Sequence, residues 1–226
     1  MIKAVLFDLD NTLIDFMKMK RRAVEAAMEA MIGAGLRIGK ARAEKVLWEI
    51  YDKKGFEHQR VFQLFLKKVA GKVDYPILAA GIIAYRQVKE GYVEPYPGVV
   101  DSLLKLREKK IRLGIITDAP RLQAWLRLAE MKIAHFFDLV IAFEDTGKKK
   151  PHAMPFREAV KKLGLRPEEI LFVGDSLVRD ISGAKKAGMR TAWAKYGGSR
   201  EKGGAKPDLV ISSPKKLPRA LQALKA

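Results

Sequence analysis

Residues 2–13 read IKAVLFDLDNTL, an apolar run that ends in two aspartates separated by a single residue. The run has the composition of a buried β-strand. Asp8 and Asp10 therefore follow the strand where it leaves the core, and residues two apart in an extended chain face the same side. Two like charges at the edge of a low-dielectric core raise each other's energy. A cation bound beside the two carboxylates would offset that cost.

Five more strand-like segments follow in the second half of the chain, and amphipathic helices separate most of them. Such alternation predicts an α/β fold in which a parallel sheet is covered by helices on both faces. The segments are IRLGIIT (111–117), FDLVIAF (137–143), EILFVGD (169–175), RTAWAKY (190–196) and DLVIS (208–212).

Residues 16–92 have helical periodicity almost throughout and contain no convincing strand. We therefore predict an inserted four-helix unit at 16–92 and a sheet-containing unit made of 1–15 plus 93–226. The glycine-rich segment 196–208 is predicted to be a flexible loop, since it lacks the order of a nucleotide-binding P-loop. The four predicted helices are 16–35, 40–55, 56–71 and 75–91.

Composition limits the kind of site this chain can build. It has no cysteine, and its three histidines lie far apart, so thiolate chemistry and histidine-built metal sites are excluded. A metal would have oxygen ligands, which favours magnesium. The absence of cysteine and the abundance of Lys, Arg and Glu also fit a thermophilic source.

The net charge is +18, which is typical of either a nucleic-acid surface or a solubilising surface that favours anionic ligands. The basic residues are spread over many helices without interleaved aromatic residues, so we favour the second interpretation. The apolar stretch 75–85 is too short to cross a bilayer. We expect a cytoplasmic protein, a monomer or homodimer, that has a small phosphorylated partner and binds neither membrane nor nucleic acid.

Residues suited to phosphate or metal chemistry follow four of the predicted strands. Ligands of open parallel sheets bind beyond the carboxyl ends of the strands, so these side chains are expected to converge. They are Asp8, Asp10 and Thr12 after the first strand, Thr117 and Asp118 after IRLGII, Lys150 after FDLVIAF, and Asp175, Ser176 and Asp180 after EILFVG.

This set of side chains fits phosphoryl transfer. One carboxylate of the Asp8–Asp10 pair can attack phosphorus, and the other can protonate the leaving oxygen and then deprotonate water. Thr117 and Lys150 can bind the phosphoryl oxygens, where negative charge must be stabilised. Asp175 would complete the protein ligands of a Mg²⁺ ion.

The segments FDLDNTL, IITDAP, KPHAMPF and VGDSLVRD, in this order, resemble the four motifs of the haloacid dehalogenase superfamily of phosphohydrolases, subfamily I with a C1-type helical cap. The resemblance implies a three-layer Rossmann-like core with a helical cap that closes over the site. It implies Asp8 as nucleophile, Asp10 as general acid/base, and Asp8, Asp175 and the Asp10 carbonyl as Mg²⁺ ligands.

The resemblance also implies phosphate binding by Thr117, Asp118 and Lys150, with Thr12, Ser176 and Asp180 as supporting residues. An acidic residue at position 10 favours phosphate esters over haloacids, because relatives that cleave carbon–halogen bonds generally lack it. The implied function is a Mg²⁺-dependent phosphatase that acts on a small phosphomonoester.

Several alternatives remain open from the sequence. Lys149 is a second candidate for the role given to Lys150, and Asp180 could form a simple ion pair with Lys185. The same aspartyl phosphate could pass to a second substrate in a phosphomutase. A basic nucleic-acid-binding protein without turnover is the alternative from another functional class.

Overall fold

The computed structural model describes residues 1–199 and 203–225. Its contacts divide the chain into two compact units, one of Met1–Asp15 with Glu94–Ala226 and one of Phe16–Val93. Val93 groups with the helical unit, one residue beyond the boundary expected from the sequence. We call the two parts the α/β unit and the helical unit.

In the described part of the α/β unit, six parallel strands form one sheet in the order β3-β2-β1-β4-β5-β6. Strand β1 is central, where Val5 pairs with Leu113 of β2 on one side and with Leu171 of β4 on the other. Each of the six predicted segments contains one strand, so the expected α/β class is confirmed. The strands are β1 (Ala4–Phe7), β2 (Arg112–Ile116), β3 (Leu139–Ile141), β4 (Ile170–Gly174), β5 (Arg190–Ala194) and β6 (Leu209–Ile211).

The core of the α/β unit forms where helices bury apolar side chains against the sheet. Phe156 packs edge-on against Phe172 of β4, with ring centroids 5.1 Å apart. Buried side chains of β1 and β2 belong to the same cluster. The helices of this unit are α5 (Val99–Glu108), α6 (Arg121–Glu130), α7 (Phe143–Thr146), α8 (Ala153–Leu163), α9 (Ser182–Lys186) and α10 (Leu217–Ala220).

The two chain segments that connect the α/β unit to the inserted helices run side by side. Ile14 and Pro95 form an antiparallel bridge, and the Tyr96 N–H donates to the Leu13 carbonyl at 2.8 Å. The ends of the insertion are therefore adjacent in the α/β unit.

The helical unit has a separate apolar core that includes Met28, Leu47, Phe65 and Leu78. Lys20 is buried in it, and its ammonium group donates to the Phe56 carbonyl and the Tyr85 hydroxyl, both at 2.8 Å. The helices are α1 (Phe16–Gly33), α2 (Lys40–Lys54), α3 (Val61–Ala70) and α4 (Tyr75–Gly91).

The third helix begins at Val61 and not at residue 56, so the sequence-based start was wrong. The Arg60 N–H donates to His58 Nδ1, and the Gln59 side chain donates to the Glu57 carbonyl. Such local side-chain bonds compete with helical ones. Phe56 instead packs its ring against Trp48 and Tyr51 of the preceding helix. An apolar residue that the pattern assigned to α3 is thus part of the turn before it.

Candidate active site

The candidate site lies at the carboxyl ends of β1, β2 and β4. These strands are neighbours, and β1 is the point at which the strand order reverses direction, the usual ligand position in an open α/β sheet. Asp8, Thr117 and Asp175 each come directly after one of the three strands. All three residues are buried.

Lys150 is brought to this edge by the segment between α7 and α8. Its Nζ lies 2.5 Å from Asp8 Oδ1 and 2.7 Å from Asp180 Oδ1, and it donates to the Ile116 carbonyl at 3.1 Å. The Lys150 side chain is 1% exposed, whereas Lys149 is exposed and lies over the Phe143 ring. The geometry therefore favours Lys150 over Lys149 as the cation of the site.

Asp8, Asp175 and Asp180 form a buried acidic cluster in which one oxygen of each carboxylate lies within 4.8 Å of the others. Burial, together with the neighbouring negative charges, raises the pKa of Asp8 to about 7 and that of Asp175 to about 8. The positive charge of Lys150 partly opposes this rise, because it lowers the pKa of both aspartates. Burial alone would lower the pKa of the Lys150 ammonium group, but the negative charges of Asp180 and Asp8 outweigh it and raise that pKa overall.

The acidic cluster fits a hard divalent cation. Asp175 Oδ1 is buried and accepts no hydrogen bond from any residue that the structure describes. A buried carboxylate oxygen without a donor is costly unless a metal or water binds it, and carboxylate oxygens are the ligands that magnesium prefers. Asp180 pairs with Lys150, while Lys185 lies 3.4 Å from Asp208, so the alternative Asp180–Lys185 pair does not form.

Asp10, the second aspartate of the first motif, binds a different cation. Its Oδ2 lies 3.0 Å from Nη1 of Arg127 on α6. The sequence interpretation missed Arg127, although a signal was present. Ala124, Arg127 and Leu128 are the buried positions of α6, so an arginine stands on the apolar face of an amphipathic helix.

The two threonines of the predicted site have defined partners. The Thr12 hydroxyl donates to Asp8 Oδ2 at 3.2 Å. The Thr117 hydroxyl oxygen accepts the Ala119 N–H at 3.1 Å, and the Thr117 N–H donates to the Ile141 carbonyl. Thr12 thus orients Asp8, and the bond to Ala119 fixes the Thr117 side chain at the end of β2.

Asp118 and Ser176 hold the backbone of the site in place. Asp118 Oδ1 accepts the backbone N–H of Lys150 at 2.9 Å, which fixes the segment that carries the lysine. The Ser176 N–H donates to Asp180 Oδ2 at 3.0 Å, and its hydroxyl oxygen accepts the Arg179 N–H at 2.9 Å. Asp118 therefore positions Lys150, which contacts Asp8, and Ser176 fixes the segment that carries Asp180.

The end of β5 and the turn that follows it support the site, which the sequence did not indicate. Trp193 Nε1 donates to the Asp175 carbonyl, and the Tyr196 hydroxyl donates to the Thr12 carbonyl, both at 2.8 Å. A Cβ on Gly197 would stand 2.5 Å from the Asp175 Cβ and would collide with the Asn11 carbonyl. The expectation of a flexible loop over 196–208 is wrong at its start, because Lys195–Gly197 is a packed 3₁₀ turn. Residues 200–202 lie outside the described residues.

The family model of haloacid dehalogenase-like hydrolases matches residues 2–188. The chain belongs to this family. A glyceraldehyde 3-phosphate phosphatase of Methanopyrus kandleri is 37% identical to this hydrolase over an alignment of 223 positions that covers 96% of each chain. A phosphoglycolate phosphatase of Salmonella typhimurium is 32% identical over an alignment of 213 positions that covers 87% of this chain and 82% of the relative.

A solved structure of a phosphatase of the same superfamily from Thermococcus onnurineus is also similar to this hydrolase. It has a TM-score of 0.66 and 27% identity, with coverage of 97% of this chain and 98% of the other. The expected superfamily is therefore confirmed, and the expected reaction class, phosphoric monoester hydrolysis, is that of the named relatives. No described helix of this hydrolase combines the length and apolar character needed to span a bilayer.

Proposed function

We propose that this hydrolase is a Mg²⁺-dependent phosphatase that cleaves small phosphomonoesters through an aspartyl phosphate on Asp8. The observation that carries the proposal is the buried Asp8 carboxylate, which has a cation at 2.5 Å and two further carboxylates close by. The similarity to glyceraldehyde 3-phosphate and phosphoglycolate phosphatases supports a two- or three-carbon monophosphate as substrate.

In the first half-reaction, an Asp8 oxygen attacks phosphorus and the bond from phosphorus to the ester oxygen breaks. Asp10 gives its proton to the departing oxygen, which leaves as the alcohol. Lys150, already at Asp8, neutralises the charge that builds on the phosphoryl oxygens. Thr117, whose side chain is fixed at the end of β2 by the Ala119 N–H, would donate its hydroxyl proton to them.

In the second half-reaction, water attacks the phosphorus of the aspartyl phosphate, and Asp10 takes the proton that water loses. Inorganic phosphate leaves and the Asp8 carboxylate is restored. Both half-reactions use the same two aspartates, because the proton given to the alcohol is recovered from water.

Mg²⁺ would be held by Asp8, Asp175 and the Asp10 carbonyl, with Asp180 beside it, and would supply positive charge to offset both carboxylate repulsion and phosphate charge. Asp175 Oδ1, which lacks a donor among the described residues, supports its place in this ligand set. Lys150 remains within reach of Asp8 and Asp180 to share that charge.

The first test is phosphate release from p-nitrophenyl phosphate by the native protein and Asp8→Asn, each with Mg²⁺ and with EDTA. We expect Mg²⁺-dependent release that falls by roughly a thousandfold or more in Asp8→Asn, because an amide is not a nucleophile. Asp101→Asn, an exposed acidic position on α5, is the matched control and should match the native rate. Equal rates in native protein and Asp8→Asn would refute the mechanism.

Glyceraldehyde 3-phosphate, phosphoglycolate and the two glucose monophosphates form the substrate panel. Release of inorganic phosphate supports the phosphatase, whereas interconversion of the glucose phosphates without release would support the mutase alternative. The relatives named above are phosphatases, which favours water as the acceptor.

A further inference from the structure

Arg127 is a buried cation that the proposed reaction does not use. It is 2% exposed, and it shares the buried face of α6 with two aliphatic residues, Ala124 and Leu128. Burying a guanidinium group carries a large desolvation cost unless the group is paired and hydrogen-bonded. The Asp10 carboxylate accepts a hydrogen bond from Arg127 Nη1 at 3.0 Å. Asp10, the residue that transfers protons in the proposed reaction, is therefore one partner that offsets this cost.

A proton donor works only if its carboxyl group is held within hydrogen-bond reach of the departing oxygen. The Asp10 side chain is 26% exposed, so without a fixed partner it could rotate into water. The Arg127 side chain is 3% exposed, and its planar guanidinium presents its donors in fixed directions. A buried guanidinium of this kind restricts the rotation of the carboxylate that it binds.

From this geometry we infer that Arg127 is a positioning residue that holds the Asp10 carboxylate in place for proton exchange with the leaving oxygen. The inference rests on the proposed function and adds to it. Arg127 acts through Asp10 and needs no contact with the substrate.

The effect of losing Arg127 on the cleavage rate should depend on the leaving group of the ester. Benzyl phosphate releases an alkoxide unless the oxygen is protonated, so its cleavage depends on Asp10. p-Nitrophenyl phosphate releases a stabilised phenolate, which leaves without a proton. Losing the position of Asp10 should therefore slow the first ester far more than the second, whereas general damage to the site slows both equally.

The experiment compares kcat/KM for the two esters, with Mg²⁺, in native protein and Arg127→Met. This ratio reports only the steps up to release of the alcohol. Since general acid catalysis contributes about 10² to 10⁴ in rate, we expect kcat/KM in Arg127→Met to fall at least ~30-fold on benzyl phosphate and less than ~3-fold on p-nitrophenyl phosphate. On p-nitrophenyl phosphate, kcat and KM should fall together, because the later attack by water still needs Asp10.

Two variants support the comparison. Arg121→Met removes an arginine from the same helix that is 53% exposed and pairs with Asp145, and it should behave as native on both esters. The double variant Arg127→Met with Asp10→Asn should be no slower on benzyl phosphate than Asp10→Asn alone, because the effect of Arg127 on catalysis passes through that carboxylate.

Equal losses on the two esters, or fully additive losses in the double variant, would overturn the inference while leaving the phosphatase proposal intact. If Arg127→Met does not fold, Arg127→Lys, which keeps a charged donor, takes its place and should show a smaller loss confined to benzyl phosphate. Native protein that releases phosphate from neither ester would contradict the proposed function and this inference with it.

Discussion

At residue 150, one ammonium group lies between two buried carboxylates, 2.5 Å from Asp8 and 2.7 Å from Asp180. Replacing it by methionine would keep the volume of the side chain and leave both negative charges without this partner. Removing one partner of a buried ion pair costs about 3–5 kcal/mol. We therefore expect Lys150→Met to lower the free energy of unfolding by about that amount in EDTA at pH 8.5.

Urea unfolding followed by circular dichroism measures this loss. Lys149→Met is the matched control, since Lys149 is exposed and should change stability by no more than about 0.5 kcal/mol. A similar loss in both variants would show that the pairing of Lys150 with Asp8 and Asp180 is not its source.

The carboxyls of Asp8 and Asp175 have pKa values raised to about 7 and about 8, chiefly by burial. Between pH 4 and 8 the folded, metal-free protein therefore binds more protons at these groups than the unfolded chain does, since unfolded aspartate has a pKa of about 3.9. The free energy of unfolding in EDTA should accordingly fall as pH rises through this window.

Mg²⁺ must displace those protons, so its stabilising effect should grow with pH. We expect the rise in Tm between EDTA and excess Mg²⁺ to be larger at pH 8.5 than at pH 6, and to shrink in Asp175→Asn. A thermal-shift series at the two pH values measures it. A Tm rise that is the same at both pH values would show that the metal does not bind these carboxyls.

At the scale of elements, the 3₁₀ turn Lys195–Gly197 packs against the loops that follow β1 and β4. Position 197 has no room for a Cβ beside Asn11 and Asp175, so Gly197→Ala must push those loops apart. We expect a fall in phosphatase kcat/KM of about 10²-fold, because small misplacements of catalytic groups have effects of that size. Phosphate-release kinetics measure it.

Gly33→Ala is the control for this substitution. Gly33 lies at the end of α1 with open space around the added Cβ, so activity and stability should stay near native. Unchanged kinetics in Gly197→Ala would show that the turn does not hold the two loops.

The sequence predicted elements where the pattern is local. Each of the six strands was indicated by its own apolar run and was followed by turn or polar residues. Lys150 was indicated by its place after one of these runs, FDLVIAF. The Arg127–Asp10 contact joins residues 117 positions apart, and it depends on how α6 packs against the loop after β1. The start of α3 was missed for a related reason, since Phe56 packs against aromatic rings of the preceding helix.

At the scale of the whole molecule, each unit has its own apolar core. Phe65 belongs to the core of the helical unit and Phe156 to that of the α/β unit, and both are fully buried. Truncating a buried phenylalanine costs about 3–5 kcal/mol. We expect Phe65→Ala to speed amide exchange mainly within 16–93, and Phe156→Ala mainly within the six strands.

Hydrogen exchange followed by mass spectrometry compares the two variants directly, and each serves as the control for the other. Faster exchange across both units in both variants would show instead that the chain opens as a single cooperative body.

The antiparallel bridge between Ile14 and Pro95 gives the fold a property that concerns its evolution. Because the chain leaves and re-enters the α/β unit at neighbouring points, the length and shape of the intervening segment place no demand on the sheet. Genes that code for this sheet can therefore exchange one insert for another at a single junction. In such a lineage, the insert is free to change while the residues at the sheet edge stay the same.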